Sequence, residues 1–283
     1  MCEALSYFER RTLYDFILVT PIYQGVDGIT CWCVEKAHQE GLNFLWIPGT
    51  DGKGDALVAR SRSIATTAFL EHGSSNHMIF LDSDIMFTPE DLKKLNDHQK
   101  AGYDIIGGLY PTRAGTDCSS YFWKGIAPKE MGVQEIQFLS TGFMGISKYA
   151  LEKIRRDYRY PDGRAMPLLH GSVSEMRSYP FFEDRFMHID TPDQSGTQDI
   201  WLSEDWDFNE KARSVGFKIY AVLDIQLGHQ GNRIVTFRDV EFYKKTRALM
   251  EAKVRKQQEE KSKAIADAET PDFVGMSTEG AKS

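Results

Sequence analysis

An α/β fold built on a mainly parallel sheet is the architecture this 283-residue chain predicts, and three observations carry it. Short apolar runs rich in β-branched and aromatic residues alternate with longer helix-period stretches, the pattern of βαβ units. The run Met78-Ile79-Phe80-Leu81 reads as a buried strand and stops at two carboxylates, Asp82 and Asp84, separated only by Ser83. With 41% hydrophobic and 12% aromatic residues, the composition supports a substantial core.

Taken in order, Phe16 to Val19 is a strand ending at Thr20-Pro21, Gly28 to Gln39 is a helix, and Phe44 to Ile47 is a second strand. Asp55 is placed to cap a helix running through Leu70. The strand at 78–81 follows, then a helix opened by Thr88-Pro89-Glu90-Asp91, with proline at its first turn, then a short strand at Asp104-Ile105-Ile106.

Beyond Gly108 the pattern loosens. Ser119 to Trp123 and Gln137 to Ser147 read as strands, the second broken by Gly142 and Gly145, and Lys148 to Arg156 reads as a helix. From Tyr158 to about Gly196 the chain is rich in Pro, Gly, Asp and His, so residues 158–200 are expected to form an irregular, substrate-covering insertion on the acceptor side. A helix from Ser203 to Val215, a strand from Phe217 to Leu223 and a loop at Leu227 to Gly231 complete a domain assigned to residues 1–237. Residues 238–268 then form a charged helix with a thin apolar stripe, a candidate for self-association. Residues 269–283 are expected to be disordered.

Charge excludes one class of partner. The formal net charge of −7 argues against a protein that grips nucleic acid through a broad basic surface. Cys2, Cys31, Cys33 and Cys118 show no paired metal-ligand spacing and read as free thiols of a reducing compartment. No stretch approaches the roughly 18 consecutive apolar residues that span a bilayer, so the chain is expected to be soluble and cytoplasmic.

The strand-end carboxylates read either as a divalent-cation site or as a turn that Asp82 opens by bonding its own backbone, with Asp84 solvated. An open α/β sheet keeps its ligands beyond the carboxyl ends of its strands, where Asp82 and Asp84 fall. Hard carboxylate oxygens suit Mg²⁺ or Mn²⁺, which are commonly held by one or two protein groups together with substrate phosphates. Two further clusters map to the same sheet edge. Ser203-Glu204-Asp205-Trp206-Asp207 opens a helix, where acidic residues also suit the positive end of the dipole without any catalytic role. His229 sits between glycines just past a strand.

The ordered set Arg60-Ser-Arg62-Ser63, Met78 to Asp84, Ile106-Gly-Gly-Leu-Tyr110-Pro111, Ser140-Thr-Gly142-Phe-Met-Gly145, Ser203-Glu204-Asp205-Trp206-Asp207-Phe208 and Leu227-Gly-His229 resembles a nucleotide-sugar-dependent glycosyltransferase of the GT-A fold, with an Asp-x-Asp motif and similarity to family 2. The resemblance spans roughly residues 14 to 235. It implies a Rossmann-like, mixed but mainly parallel sheet flanked by helices, with a C-terminal helix after it. It implies that Asp84 binds Mn²⁺ or Mg²⁺ directly, that Asp82 reaches the ion through water or contacts the donor ribose, and that His229 completes the metal shell. Thr20, Pro21 and Tyr23 resemble a nucleotide pocket, with Tyr23 available to stack on a base, and Ser83 lies in the same motif. Arg60 and Arg62 resemble residues that orient the acidic motif and the donor, and Gly142 resembles the small residue against which a donor sugar lies. Glu204 and Asp205 face the acceptor, Asp205 being the favoured general base of an inverting reaction. Ser63 and the Trp206-Asp207 pair depart from the usual pattern, which bears on donor identity more than on reaction class.

The expected activity is transfer of a sugar from a nucleoside-diphosphate sugar, UDP favoured, to a carbohydrate or glycoconjugate acceptor. Two alternatives are an inactive nucleotide-sugar-binding module and a sugar-phosphate nucleotidyltransferase. The second usually carries a Gly-rich basic loop near the start, and Thr20 to Gly25 has one glycine and no lysine.

Overall fold

The computed structural model describes residues 14–49, 55, 57–171, 177–190, 197–231, 233–242, 244, 245, 247 and 248. Its centre is a seven-stranded sheet. Strands β1 (Phe16–Thr20), β2 (Phe44–Pro48), β3 (His77–Leu81), β5 (Ile105–Leu109) and β12 (Tyr220–Gln226) all run one way, while β6 (Val133–Glu135) and β7 (Phe143–Ser147) oppose them. The order across the sheet is β2-β1-β3-β7-β5-β12-β6. This is the mixed, mainly parallel, Rossmann-like arrangement expected of a GT-A fold.

Strand alternation explains why the sheet is covered on both faces. In β1, Phe16 and Leu18 join one apolar cluster and Ile17 and Val19 the other; in β3, Ile79 and Leu81 oppose Met78 and Phe80 in the same way. Helices α1 (Gly28–Gln39) and α3 (Pro89–Lys100) supply Cys33, Val34, Leu92 and Leu95 to the first cluster. Helices α2 (Val58–His72), α4 (Lys148–Asp157) and α5 (Glu204–Ser214) supply Phe69, Leu151, Ile154 and Phe208 to the second. Helix α3 starts where the sequence signals it. The Thr88 hydroxyl accepts the Asp91 N–H at 3.2 Å, and the Asp91 carboxylate accepts the Thr88 N–H at 2.9 Å, a reciprocal capping box ahead of Pro89.

Several expectations are corrected. Helix α2 begins at Val58 after Leu57, so Asp55 is not its cap; its carboxylate accepts the Leu57 N–H at 2.9 Å from just outside the helix. Ser119 to Trp123 forms no strand and makes only the bridge Tyr121 to Phe138, while the stretch predicted from Gln137 becomes a strand only at Phe143. Strand β6 has no counterpart in the sequence reading. The 158–200 stretch is less irregular than expected: β8 (Leu169–His170) pairs with β9 (Arg177–Ser178), and β10 (Arg185–Asp190) pairs with β11 (Thr197–Leu202), both antiparallel. The segment read as a loop at 227–231 contains strand β13 (Gly228–Gln230), which lies between β4 (Ile85–Met86) and β14 (Ile234–Val235) in a three-stranded sheet.

The chain divides into compact units of residues 1–240 and 241–283. Most of the charged helix expected at 238–268, its proposed self-association, and the 269–283 tail lie outside the described residues. Cys31 and Cys33 are free thiols. No helix among the described residues is long and apolar enough to cross a membrane.

Candidate functional site

The site forms where β3 ends. Asp82 donates its N–H to the Gly142 carbonyl at 3.0 Å, and after the turn at Ser83-Asp84 strand β4 carries the chain away. Register then does what sequence distance conceals. Strand β13 pairs antiparallel with β4, His229 opposite Ile85, and the Gln230 N–H donates to the Asp84 carbonyl at 2.8 Å. This brings His229 Nε2 to 3.2 Å from Asp84 Oδ2, across 145 residues of sequence.

The protonation of that histidine follows from its other nitrogen. Nδ1 lies 2.8 Å from the Pro111 carbonyl oxygen, which can only accept, so Nδ1 carries a hydrogen. In the neutral ring, Nε2 then turns a lone pair toward a carboxylate oxygen. Two lone pairs at this separation repel unless a cation lies between them, either a proton on the ring or a metal ion. Burial disfavours the charged ring, but the Asp84 carboxylate and the Pro111 carbonyl outweigh it and hold the imidazole above its ordinary range. Burial likewise pushes Asp84 up, and hydrogen bonds from His229 and Arg113 outweigh it and hold the carboxyl below its usual range. The donor set, one hard oxygen and one imidazole nitrogen whose tautomer is fixed by a second partner, fits Mn²⁺ or Mg²⁺. Among the described residues no three His, Cys, Asp or Glu side chains gather into a closed cage, so an ion here would take its remaining ligands from phosphate and water.

Asp82 faces a different partner. Arg62, buried on α2, donates through Nη2 to Asp82 Oδ1 at 2.6 Å and through Nη1 to Glu204 Oε1. One guanidinium thereby ties the Asp-Ser-Asp turn to the start of α5, with Glu204 lying 142 residues beyond Arg62. Burial opposes that charge, but Asp82 and Glu204 keep it fully protonated. Glu204 and Asp205 are both raised above the ordinary carboxyl range, chiefly by burial. Ser203 holds the N-cap position of α5 but gives its hydroxyl to Asp205 Oδ1, which also accepts the Trp206 N–H at 2.8 Å. Both donors fall on the same oxygen, whereas Glu204 is engaged by Arg62.

Gly142 is required by crowding from protein. A Cβ there would lie 2.5 Å from the Tyr110 hydroxyl oxygen and 3.0 Å from Asp82 Oδ2. The Gly142 N–H donates to that hydroxyl at 3.0 Å, and the buried Tyr110 ring meets His229 edge-on with centroids 5.3 Å apart.

Two cavities open onto the Asp-Ser-Asp turn; His229, Gly142, Glu204 and Asp205 line neither of them. The larger, about 840 Å³, is lined by Tyr23, Asp27, Ser83, Asp84, Arg113 and Gln230 among others. The smaller, about 220 Å³, is lined by Pro21, Asp55, Arg62 and Asp82, and shares Tyr23, Ser83, Asp84 and Arg113 with the first. Of the residues assigned to a nucleotide pocket, Pro21 and the exposed Tyr23 line these cavities. Thr20 does not: it is fully buried in the sheet, its hydroxyl accepting from Trp46 Nε1 at 2.9 Å. Arg60 does not either; its guanidinium is 60% exposed and bonded twice to Asp55 at 2.7 Å, touching the smaller cavity only through that carboxylate. Asp27, Tyr110 and Arg113 are site residues without an assigned role in the sequence reading. Asp27 lies just ahead of α1 and Arg113 in a turn, and neither belongs to a periodic pattern.

No protein-family model and no curated protein matches the chain. Among solved structures it is similar to A197 from STIV, at 18% identity and a TM-score of 0.49 over 79% of this chain and 90% of that one. It is also similar to S. aureus TarS, at 14% identity and a TM-score of 0.37 over 74% of this chain and 35% of that one. A third is S. aureus TarS 1–349 in complex with UDP-GlcNAc, at 15% identity and a TM-score of 0.34 over 74% of this chain and 56% of that one.

Proposed function

We propose that the protein is a metal-dependent glycosyltransferase that moves a sugar from a nucleoside-diphosphate sugar to a carbohydrate or glycoconjugate acceptor. The observation that carries this reading is the 3.2 Å approach of His229 Nε2 to Asp84 Oδ2, with the ring tautomer set by Pro111 and with Asp84 lining a cavity large enough for a nucleotide. An ion held by Asp84 and His229 would neutralise the charge that grows on the diphosphate as the sugar leaves.

The chain's own residues divide the remaining tasks. Tyr23 offers a ring face for a base. Asp27, on the wall of the larger cavity, offers a carboxylate acceptor that matches the imide N–H of uracil and supports UDP as the nucleotide. Arg62 holds Asp82 and Glu204 in fixed positions relative to one another. Asp205 is the better general base, since both of its donors fall on Oδ1 while Glu204 is paired with a guanidinium; its elevated pKa brings it closer to the range a general base needs. Removal of the acceptor proton on the side of the sugar carbon away from the diphosphate gives inversion. Calorimetric titration of UDP with and without Mn²⁺ tests the reading. Markedly tighter binding with Mn²⁺ is expected, and equal affinity in both conditions overturns it.

A binding module without turnover is the second reading, favoured by one observation: the Ser203 and Trp206 bonds to Asp205 are what a purely structural carboxylate at a helix start would make. Release of UDP from a UDP-sugar in the presence of acceptor separates the two.

A further inference from the structure

Arg113 belongs to none of the roles above, yet it stands at the centre of the donor side. Its guanidinium grips the carboxylate of Asp84 through Nε, 2.9 Å from Oδ2, and through Nη2 on the same oxygen. The two partners differ sharply in exposure: the Arg113 side chain is 66% exposed and that of Asp84 is 8% exposed. Arg113 also lines both the larger and the smaller cavity, as do Tyr23, Ser83 and Asp84.

Its backbone is fixed while its head has room. The Thr112 N–H donates to the Asp117 carbonyl at 2.9 Å, the Gly115 N–H donates to the Thr112 carbonyl at 2.8 Å, and Pro111 bridges to Cys118. Gly115 closes this turn at φ +69°, which a residue with a Cβ rarely adopts. The turn carries the Pro111 carbonyl that orients His229, so one local structure places both the ring and the guanidinium on Asp84 Oδ2.

Arg113 Nε and Nη2 and His229 Nε2 all crowd onto Asp84 Oδ2, so a divalent ion entering beside His229 meets the guanidinium on that same oxygen and the two cations repel. The ion has the larger and more compact charge and wins the contest. In the donor site proposed above, a diphosphate lying beside Ser83 and Asp84, which line both cavities together with Arg113, would meet the displaced guanidinium. A guanidinium fork matches two phosphate oxygens.

We infer that Arg113 is a donor-binding residue that exchanges Asp84 for the donor's diphosphate when a divalent cation takes the carboxylate. The inference rests on the donor site proposed above, and it makes Arg113 a competitor of the metal without nucleotide and its ally with nucleotide.

Arg113→Met keeps the length of the side chain and removes its charge, and at so exposed a position it is expected to fold normally. Calorimetry with MnCl₂ alone, then with UDP and with uridine at saturating Mn²⁺, reads the exchange. Relative to wild type, the variant should bind Mn²⁺ about tenfold more tightly and UDP about tenfold more weakly, as loss of a charge-assisted contact implies. Uridine, which lacks the phosphates, should bind both proteins equally. Unchanged or weakened Mn²⁺ binding by the variant, unchanged UDP affinity, or an equal loss of uridine binding overturns the inference while leaving the donor site in place. Wild-type protein that binds neither UDP nor Mn²⁺ overturns the donor site and the inference with it.

Discussion

The donor and acceptor ends of the site treat buried charge in opposite ways. On the donor side, Asp84 is served by Arg113, an exposed cation with freedom to leave, and by a histidine whose charge depends on what it meets. On the acceptor side, α5 is anchored by cations that have nowhere to go. Lys211, fully buried, donates to Glu183 Oε2 at 2.6 Å, to the Pro180 carbonyl at 2.7 Å and lies 2.7 Å from Asp207 Oδ2. Arg185 Nε sits 2.7 Å from Asp207 Oδ1, and the Tyr160 hydroxyl donates to Glu183 at 2.7 Å. The difference fits the proposed function: an exposed cation on Asp84, where a donor diphosphate would arrive and depart, and buried pairs along α5, whose start carries Glu204 and Asp205 and where a base would have to keep its position.

Three substitutions sharpen or break this contrast. The largest effect belongs to Asp205→Asn, which should retain UDP binding and lose transfer by roughly 10²- to 10⁴-fold, the usual contribution of a general base. An active variant would move the base to Glu204. The same residue sets a pH dependence. The base works ionised and its pKa lies above the ordinary 3.8, so the wild-type rate should fall as pH drops through that raised value and recover as pH rises. A rate that stays flat until the pH falls to the ordinary carboxyl value would remove Asp205 from that role.

Next is Lys211→Met. It leaves Asp207 and Glu183 without their shared cation and should cost about 3–5 kcal/mol in denaturant unfolding, as breaking a buried ion pair does. UDP affinity in Mn²⁺, measured under conditions where the variant is folded, should be unchanged; a loss there would mean that the two ends are not separable. Smallest is Arg60→Ala, which removes an exposed partner of Asp55 and should leave UDP affinity within about twofold, since exposed pairs contribute little. A larger loss would restore Arg60 to the donor site from which its geometry separates it.

Much of the frame was legible before any fold was known. Phe16 to Val19 and Met78 to Leu81 read as buried strands because both faces of the sheet are covered and every side chain along them is apolar. Helix α1 matches its expected limits, and the Thr88-Pro89-Glu90-Asp91 signature marks the start of α3, because capping satisfies backbone groups within one turn. Less was legible from 108 to 147 and from 158 to 202. There the strands are short and several pair with distant partners, as β6 does with β12, and the hairpin β10–β11 is framed by the polar composition that suggested a loop.

The sequence alone determined the α/β class, the alternation of strands and helices, and the delivery of Asp82 and Asp84 to a strand end, since period, capping and turn chemistry act over a few residues. Only the tertiary structure decided that β13 is a strand and that its register sets His229 against Asp84. It also decided that Arg62 joins Asp82 to Glu204, that Thr20 and Arg60 do not line the cavities, and that Arg113 lines both. Those outcomes depend on which residues far apart in the chain meet in a low-dielectric interior, where each buried charge must find a partner, and no local pattern encodes that choice.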